Sequence, residues 1–174
     1  MHKKLYIILA ISIGLTIIFG INSYQKTLKF NSLQQDTYWW HAITQHRAIE
    51  DIDLALAQVN NPNDAILQLL MASETTNQSY IMTGNGTYIG AHVPFPYSVF
   101  VFHQKLSSVL WEAINELLID GFIKENTLNL LLEYREILVM MTEQYDVENH
   151  KIKTLNGKQK IEKIGEFIEN KYMK

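Results

Sequence analysis

The stretch Pro96–Gly121, PYSVFVFHQKLSSVLWEAINELLIDG, decides the fold. Val99, Phe102, Leu106, Val109, Leu110, Ala113, Ile114, Leu117 and Leu118 recur at steps of three and four residues, the spacing that lines one side of an α-helix. The helix begins at Pro96 to Ser98. It stops at Asp120-Gly121, where glycine can take the left-handed conformation of a helix end without a steric penalty.

Working outward, the same period recurs on both sides. A following helix runs from about Glu125 towards His150, with Leu128, Leu131, Tyr134, Leu138, Met141 and Tyr145 on one side. A preceding one carries Ile66, Leu69, Leu70 and Tyr80 and stops near Gly84. Its start is marked by Asn60-Asn61-Pro62-Asn63-Asp64: Asn61 can cap, Pro62 suits the first helical position, and Asp64 favours the positive end of the helix dipole. Before it, Asn31 to Val59 holds Ile49, Ile52, Leu56 and Val59 at helical steps. No segment sustains a period of two. Four amphipathic helices with short connections specify an all-α antiparallel bundle.

The N-terminal run Leu5–Ile21, LYIILAISIGLTIIFGI, contains no charge, Asn or Gln across its 17 residues. As a helix it spans about 25 Å, within the range of a single membrane crossing. It is longer than the apolar core of a cleaved leader and lacks a small-residue cleavage pattern after it, so it reads as an uncleaved anchor in contact with membrane lipid. Lys3 and Lys4 precede it and Lys26 and Lys29 follow, which leans the N-terminus towards the cytoplasm and the remaining chain outside. The absence of cysteine leans the same way and excludes thiolate metal sites, disulfide staples and thiol nucleophiles.

The net charge of -3 conceals three blocks. Residues 1–29, the anchor with its basic flanks, carry four lysines and no acid. Residues 30–150, the bundle, carry 15 acids against four bases. Residues 151–174, a basic amphipathic helix following Asn156-Gly157, carry seven lysines against three glutamates. An acidic body is unsuited to nucleic acid. The C-terminal helix, with Ile161, Ile164 and Ile168 on one stripe, has three possible seats: an anionic membrane, the acidic body, or the bundle itself as a final member.

Signs of chemistry are sparse. G-x-S-x-G, S-x-x-K and the phosphate-cradling glycine motifs are absent, and no cofactor is expected. His46, Glu50 and Asp53 share a helix face and form a weak candidate for a divalent cation. The paired carboxylates, Glu112 with Glu116 among them, read as solvated surface. Two aromatic groups stand out. Tyr88, His92, Phe95 and Tyr97 lie in the loop Gly84–Tyr97, and Tyr38-Trp39-Trp40-His41 is the densest aromatic cluster, with Trp39, Trp40 and His41 its candidate contacts. Each is a candidate contact surface for a partner or ligand, and each has the alternative of core packing, with the loop plugging the open end of the bundle. The expected function is that of a membrane-anchored, non-catalytic helical binding or interaction module with a protein partner. The alternative is a small accessory subunit packed beside a larger membrane complex.

Overall fold

Five helices and one two-residue ladder make up the described part of the chain, residues 2–84, 95–146, 151–152 and 157–173 of the computed structural model. The helices are α1 (His2–Ala57), α2 (Pro62–Gly84), α3 (Tyr97–Asp120), α4 (Glu125–Thr142) and α5 (Gly157–Tyr172). Between α4 and α5, β1 (Tyr145–Asp146) pairs antiparallel with β2 (Lys151–Ile152), and the hairpin rests on α1.

The second half of α1 packs on α2, α2 on α3, α3 on α4, and α4 back on α1. Thr44 meets Ser79 between α1 and α2, and Tyr80 stacks on Phe100 between α2 and α3, so neighbouring helices run in opposite directions. The core between them is closed by side chains such as Ile52, Leu69, Phe102, Leu106, Leu131 and Leu138, all essentially inaccessible. Six fully buried side chains of this size supply about 10–15 kcal/mol of apolar transfer free energy before conformational entropy opposes it.

The run Leu5–Ile21 and the first bundle helix are one element rather than two. No proline or glycine falls between Ile21 and Ala57, and Thr27 bonds back to the Ser23 carbonyl at 2.9 Å within an unbroken ladder. The 56 residues of α1 therefore span about 84 Å, far longer than its bundle partners. Among the described side chains of α1 the first buried one is Thr37. Among residues 12–32 every position but Gly14 is exposed, including Ile13, Ile17, Ile18, Phe19 and Ile21. Among the described residues no helix is long and apolar enough to cross a membrane; the side chains of residues 5–11, the first part of the run Leu5–Ile21, lie outside the described set.

Helix ends follow the local signals in part. Gly121 closes α3 at φ 77°, its N–H reaching the Leu117 carbonyl at 3.2 Å. Pro62 opens α2 as its first residue. Asn61 does not cap through its side-chain oxygen; its amide instead donates to the Asp64 carboxylate at 2.5 Å. The fourth helix ends at Thr142, eight residues before His150. Thr142, Tyr145, Asp146 and Asn149 are all weak helix formers, and the chain turns into the β1–β2 hairpin there.

Glu116 corrects the reading of the carboxylates. It is buried, not solvated: its carboxylate accepts the Lys124 backbone N–H at 2.8 Å and the Thr127 hydroxyl at 3.0 Å. Lys124 is the N-cap residue of α4, so a side chain from α3 serves the dipole end of the next helix.

The basic C-terminal helix sits on the acidic body. Ile161 and Ile168 are buried against it, Lys171 pairs with Glu133, the Tyr172 hydroxyl donates to Glu133, and Lys105 donates to the Tyr172 carbonyl. These contacts, from Lys171 first and Tyr172 second, hold the Glu133 carboxyl below its usual range. Gly165 sets the distance between α5 and the start of α3. A Cβ there would lie 2.7 Å from Pro96 Cβ and 2.8 Å from its Cγ, atoms of a rigid ring. Replacing Gly165 with valine is expected to cost about 2 kcal/mol by forcing α5 off α3. The same change at Gly20, which has nothing within 4 Å, leaves the stability of the bundle unaltered. Thermal unfolding of the two variants side by side measures the difference.

Candidate functional site

The polar centre of this protein lies inside the bundle, on its diagonal. Positions 38, 41 and 45 fall on the inward face of α1, where Tyr38, His41 and Gln45 are all buried. On α3, Val99, His103, Leu106 and Leu110 form one buried stripe, so His103 interrupts an otherwise apolar row. Met141 enters from the last turn of α4 and is fully buried.

His41 and His103 meet through their Nε2 atoms at 3.1 Å, with the ring planes at 82°. The Gln45 side-chain nitrogen stands 2.9 Å from His41 Nε2, 3.5 Å from His103 Nε2 and 3.6 Å from Met141 Sδ. Gln45 Oε1 and His103 Nδ1 are buried without a hydrogen-bond partner. The assignment of amide oxygen and nitrogen follows the surrounding network, and a turn of 180° exchanges them.

Burial dominates the protonation of the pair. Neither imidazole is accessible at all. Loss of water around His103 pushes its pKa down to about 3. His41 is also held well below the usual imidazole value, by burial first and by the neighbouring His103 second. Both rings are neutral at physiological pH.

Aromatic rings close the site on one side. Phe95 lies against His41 at 4.4 Å between ring centroids and edge-on to Tyr38 at 5.2 Å. Deeper in α1, Thr44 and Ser79 share a buried hydroxyl bond at 2.7 Å.

The candidate contact residues are thus distributed rather than gathered. His41 is sealed in the core, and Phe95 covers it as a half-buried plug. Trp40 is 44% exposed and edge-on to Trp39 at 4.9 Å, while Tyr97 is 69% exposed and stacks on Phe100. Tyr88 and His92 lie outside the described residues.

The weak cation candidate is not brought together. His46 pairs with Glu50 at 3.4 Å on the exposed face, but Asp53 turns to Arg135 in a two-pronged contact at 2.5 and 2.7 Å. Among the described residues no three His, Asp or Glu side chains converge on one point.

Sequence reading missed His103, Gln45 and Met141 because it compared histidines only within one helix. A histidine standing on the apolar stripe of a core helix was the available signal. Its partner, 62 residues away, becomes visible only once α1 and α3 are placed on the diagonal.

No family model matches this chain, and no curated protein or solved structure matches it either.

Proposed function

We propose that this protein is a membrane-tethered, non-catalytic helical interaction module whose bundle stands outside the cytoplasm. The observation that carries the reading is the continuity of α1. One helix contains the uncharged run Leu5–Ile21, then an exposed stretch, then the face that builds the bundle core from Thr37 onward. Large apolar side chains on all sides of an exposed helix are unfavourable in water and suited to lipid. An unbroken helix also fixes the bundle at a set distance from the point where that run ends.

A second feature supports a partner. The end of the bundle farthest from the N-terminal half of α1 presents Leu118, Ile119 and Phe122, with Ile119 80% exposed and Phe122 58% exposed. Apolar residues gathered at such a tip suit a protein surface.

The test is fractionation of cells carrying the full chain, followed by protease added to intact cells. The protein is expected in the carbonate-resistant membrane fraction, with the bundle removed from outside. Recovery in the soluble fraction defeats the tether, and a protected bundle defeats the orientation. Exchanging Leu5–Ile21 for an unrelated apolar helix separates the module from an accessory subunit, because only the latter loses its complex.

A further inference from the structure

We propose that the exposed N-terminal half of α1 pairs in parallel with the same segment of a second copy of this chain, as a two-stranded coiled coil along Gly14, Ile17, Ile21, Tyr24, Leu28 and Asn31. This pairing rests on the membrane-tethered reading above, which sets two copies side by side with their N-termini on one side. The six positions follow one another at steps of 3, 4, 3, 4 and 3 residues, the alternation that holds one stripe of two supercoiled helices in register. Gly14, Ile21 and Leu28 take the a positions of a heptad, and Ile17, Tyr24 and Asn31 the d positions.

Within one chain this stripe has no cover. Ile17, Ile21, Tyr24 and Leu28 are each at least half exposed. Every residue from 22 to 32 is exposed, so the bundle gives this stretch no packed face. A helix in water without such a face is marginal, and five of these eleven residues are Asn, Ser or Thr, which weaken it further.

The charge pattern selects a second copy as the occupant. In a parallel pair each residue of the stripe meets its own counterpart, so a charge on or beside the stripe faces a like charge. The flanking e positions are Ile18, Gln25 and Ser32, and the g positions include Gly20 and Thr27, all uncharged. Lys26 and Lys29 are the only charges between Leu5 and Gln35, and they fall at f and b, on the far side of the helix where two copies keep them apart. Gly14 on the stripe and Gly20 beside it let two backbones approach closely where the seam lies in lipid. With Ile18 the exposed seam offers about 500 Å² per copy, so the pair buries about 1,000 Å², the lower bound of a specific interface. Confinement to one membrane raises the effective concentration of the second copy and offsets this modest area.

The chain has no cysteine, so single introduced cysteines report on neighbours without background. Each exposed position from Ser23 to Asn31 is replaced by cysteine in the full chain. Cells producing the variants are lysed without detergent, oxidised with copper phenanthroline, and separated into membrane and soluble fractions. Disulfide-linked species of twice the chain mass are expected for Tyr24→Cys, Leu28→Cys and Asn31→Cys, at least about fivefold above Lys26→Cys and Lys29→Cys. Adding Leu28→Glu, which sets like charges across the stripe, is expected to abolish the Tyr24→Cys dimer, whereas adding Lys29→Glu leaves it intact. Equal yields at all positions, a maximum at Lys26 or Lys29, or no doubled species overturns the pairing. Adducts of another mass overturn it too, and assign the stripe to a different protein. The fraction that holds the chain reads the tether, and the cysteine pattern within that fraction reads the pairing, so either can fail alone.

Discussion

Lowering the pH from 7 to 5 is expected to remove about 2 kcal/mol from the stability of the bundle through His103 alone, with His41 adding to the loss in the same direction. The cause is the His41–His103 pair. Both rings are fully buried, and their pKa values lie below that of an exposed imidazole, His103 at about 3 and His41 well below its normal value. The sign follows from which state binds protons. Above pH 6.5, folded and unfolded chains both hold neutral imidazoles, and the pair contributes no pH dependence. Below it the unfolded chain takes up two protons that the folded chain refuses. Stability then falls by about 1.4 kcal/mol per histidine for each pH unit, until the folded-state values are reached. Urea titrations at pH 7, 6 and 5 measure the slope, and a His41→Leu/His103→Leu double variant should flatten it. An unchanged midpoint across that range would mean that the rings titrate inside the fold and that the site is open to water.

This prediction also marks the boundary of what the chain discloses one residue after another. The bundle is legible because its helices are long, periodic and punctuated. Val99 to Leu117 specifies a helix and its buried face without help from any other segment, and Gly121 specifies where it stops; Leu118, read on the same stripe, is exposed. The β1–β2 hairpin was hidden because an apolar stripe from Leu128 to Tyr145 can be extended on paper past the point where Thr142 and Asp146 weaken the helix. Glu116 was hidden for a different reason. Its role depends on the N-terminus of α4 turning back towards α3, and a carboxylate that serves another helix looks like any solvated acid from its own sequence neighbourhood. The polar centre is the extreme case. His41, His103 and Met141 come from three helices, and no spacing within one helix relates them. The basic C-terminal helix was ambiguous because its isoleucine stripe fits a membrane, a body or a bundle; Gly165 against Pro96 and Ile168 in the shared core set it on the bundle.

Removing the Phe102 ring should produce the largest loss of any single truncation at the α3–α4 contact, about 3–5 kcal/mol for Phe102→Ala. Phe102 is 1% exposed, and its ring meets Tyr134 of α4 edge-on at 5.4 Å. Tyr134 in turn meets Tyr172 of α5 at 5.2 Å, so three helices are joined through one line of aromatic rings. Loss of the ring removes buried apolar area, leaves a cavity the surrounding helices cannot fully close, and takes away an edge-to-face contact. A domain of this size has only about 5–15 kcal/mol of total stability, so the variant sits near the threshold of unfolding. Trp111→Ala, a larger truncation on the same helix, is the control. Trp111 is 49% exposed, and its removal is expected to cost less than about 1 kcal/mol. The line of rings makes a second, local prediction. With Phe102 gone, Tyr134 is free to move and Tyr172 loses its packing partner, so amide exchange should accelerate along α5 more than along α2. The anchors of α5 at Glu133 and Lys105 remain in this variant, which keeps the helix docked but loosened. Equal exchange in α2 and α5 would show that α5 is held by its ion pair and isoleucines alone, with the aromatic line a bystander.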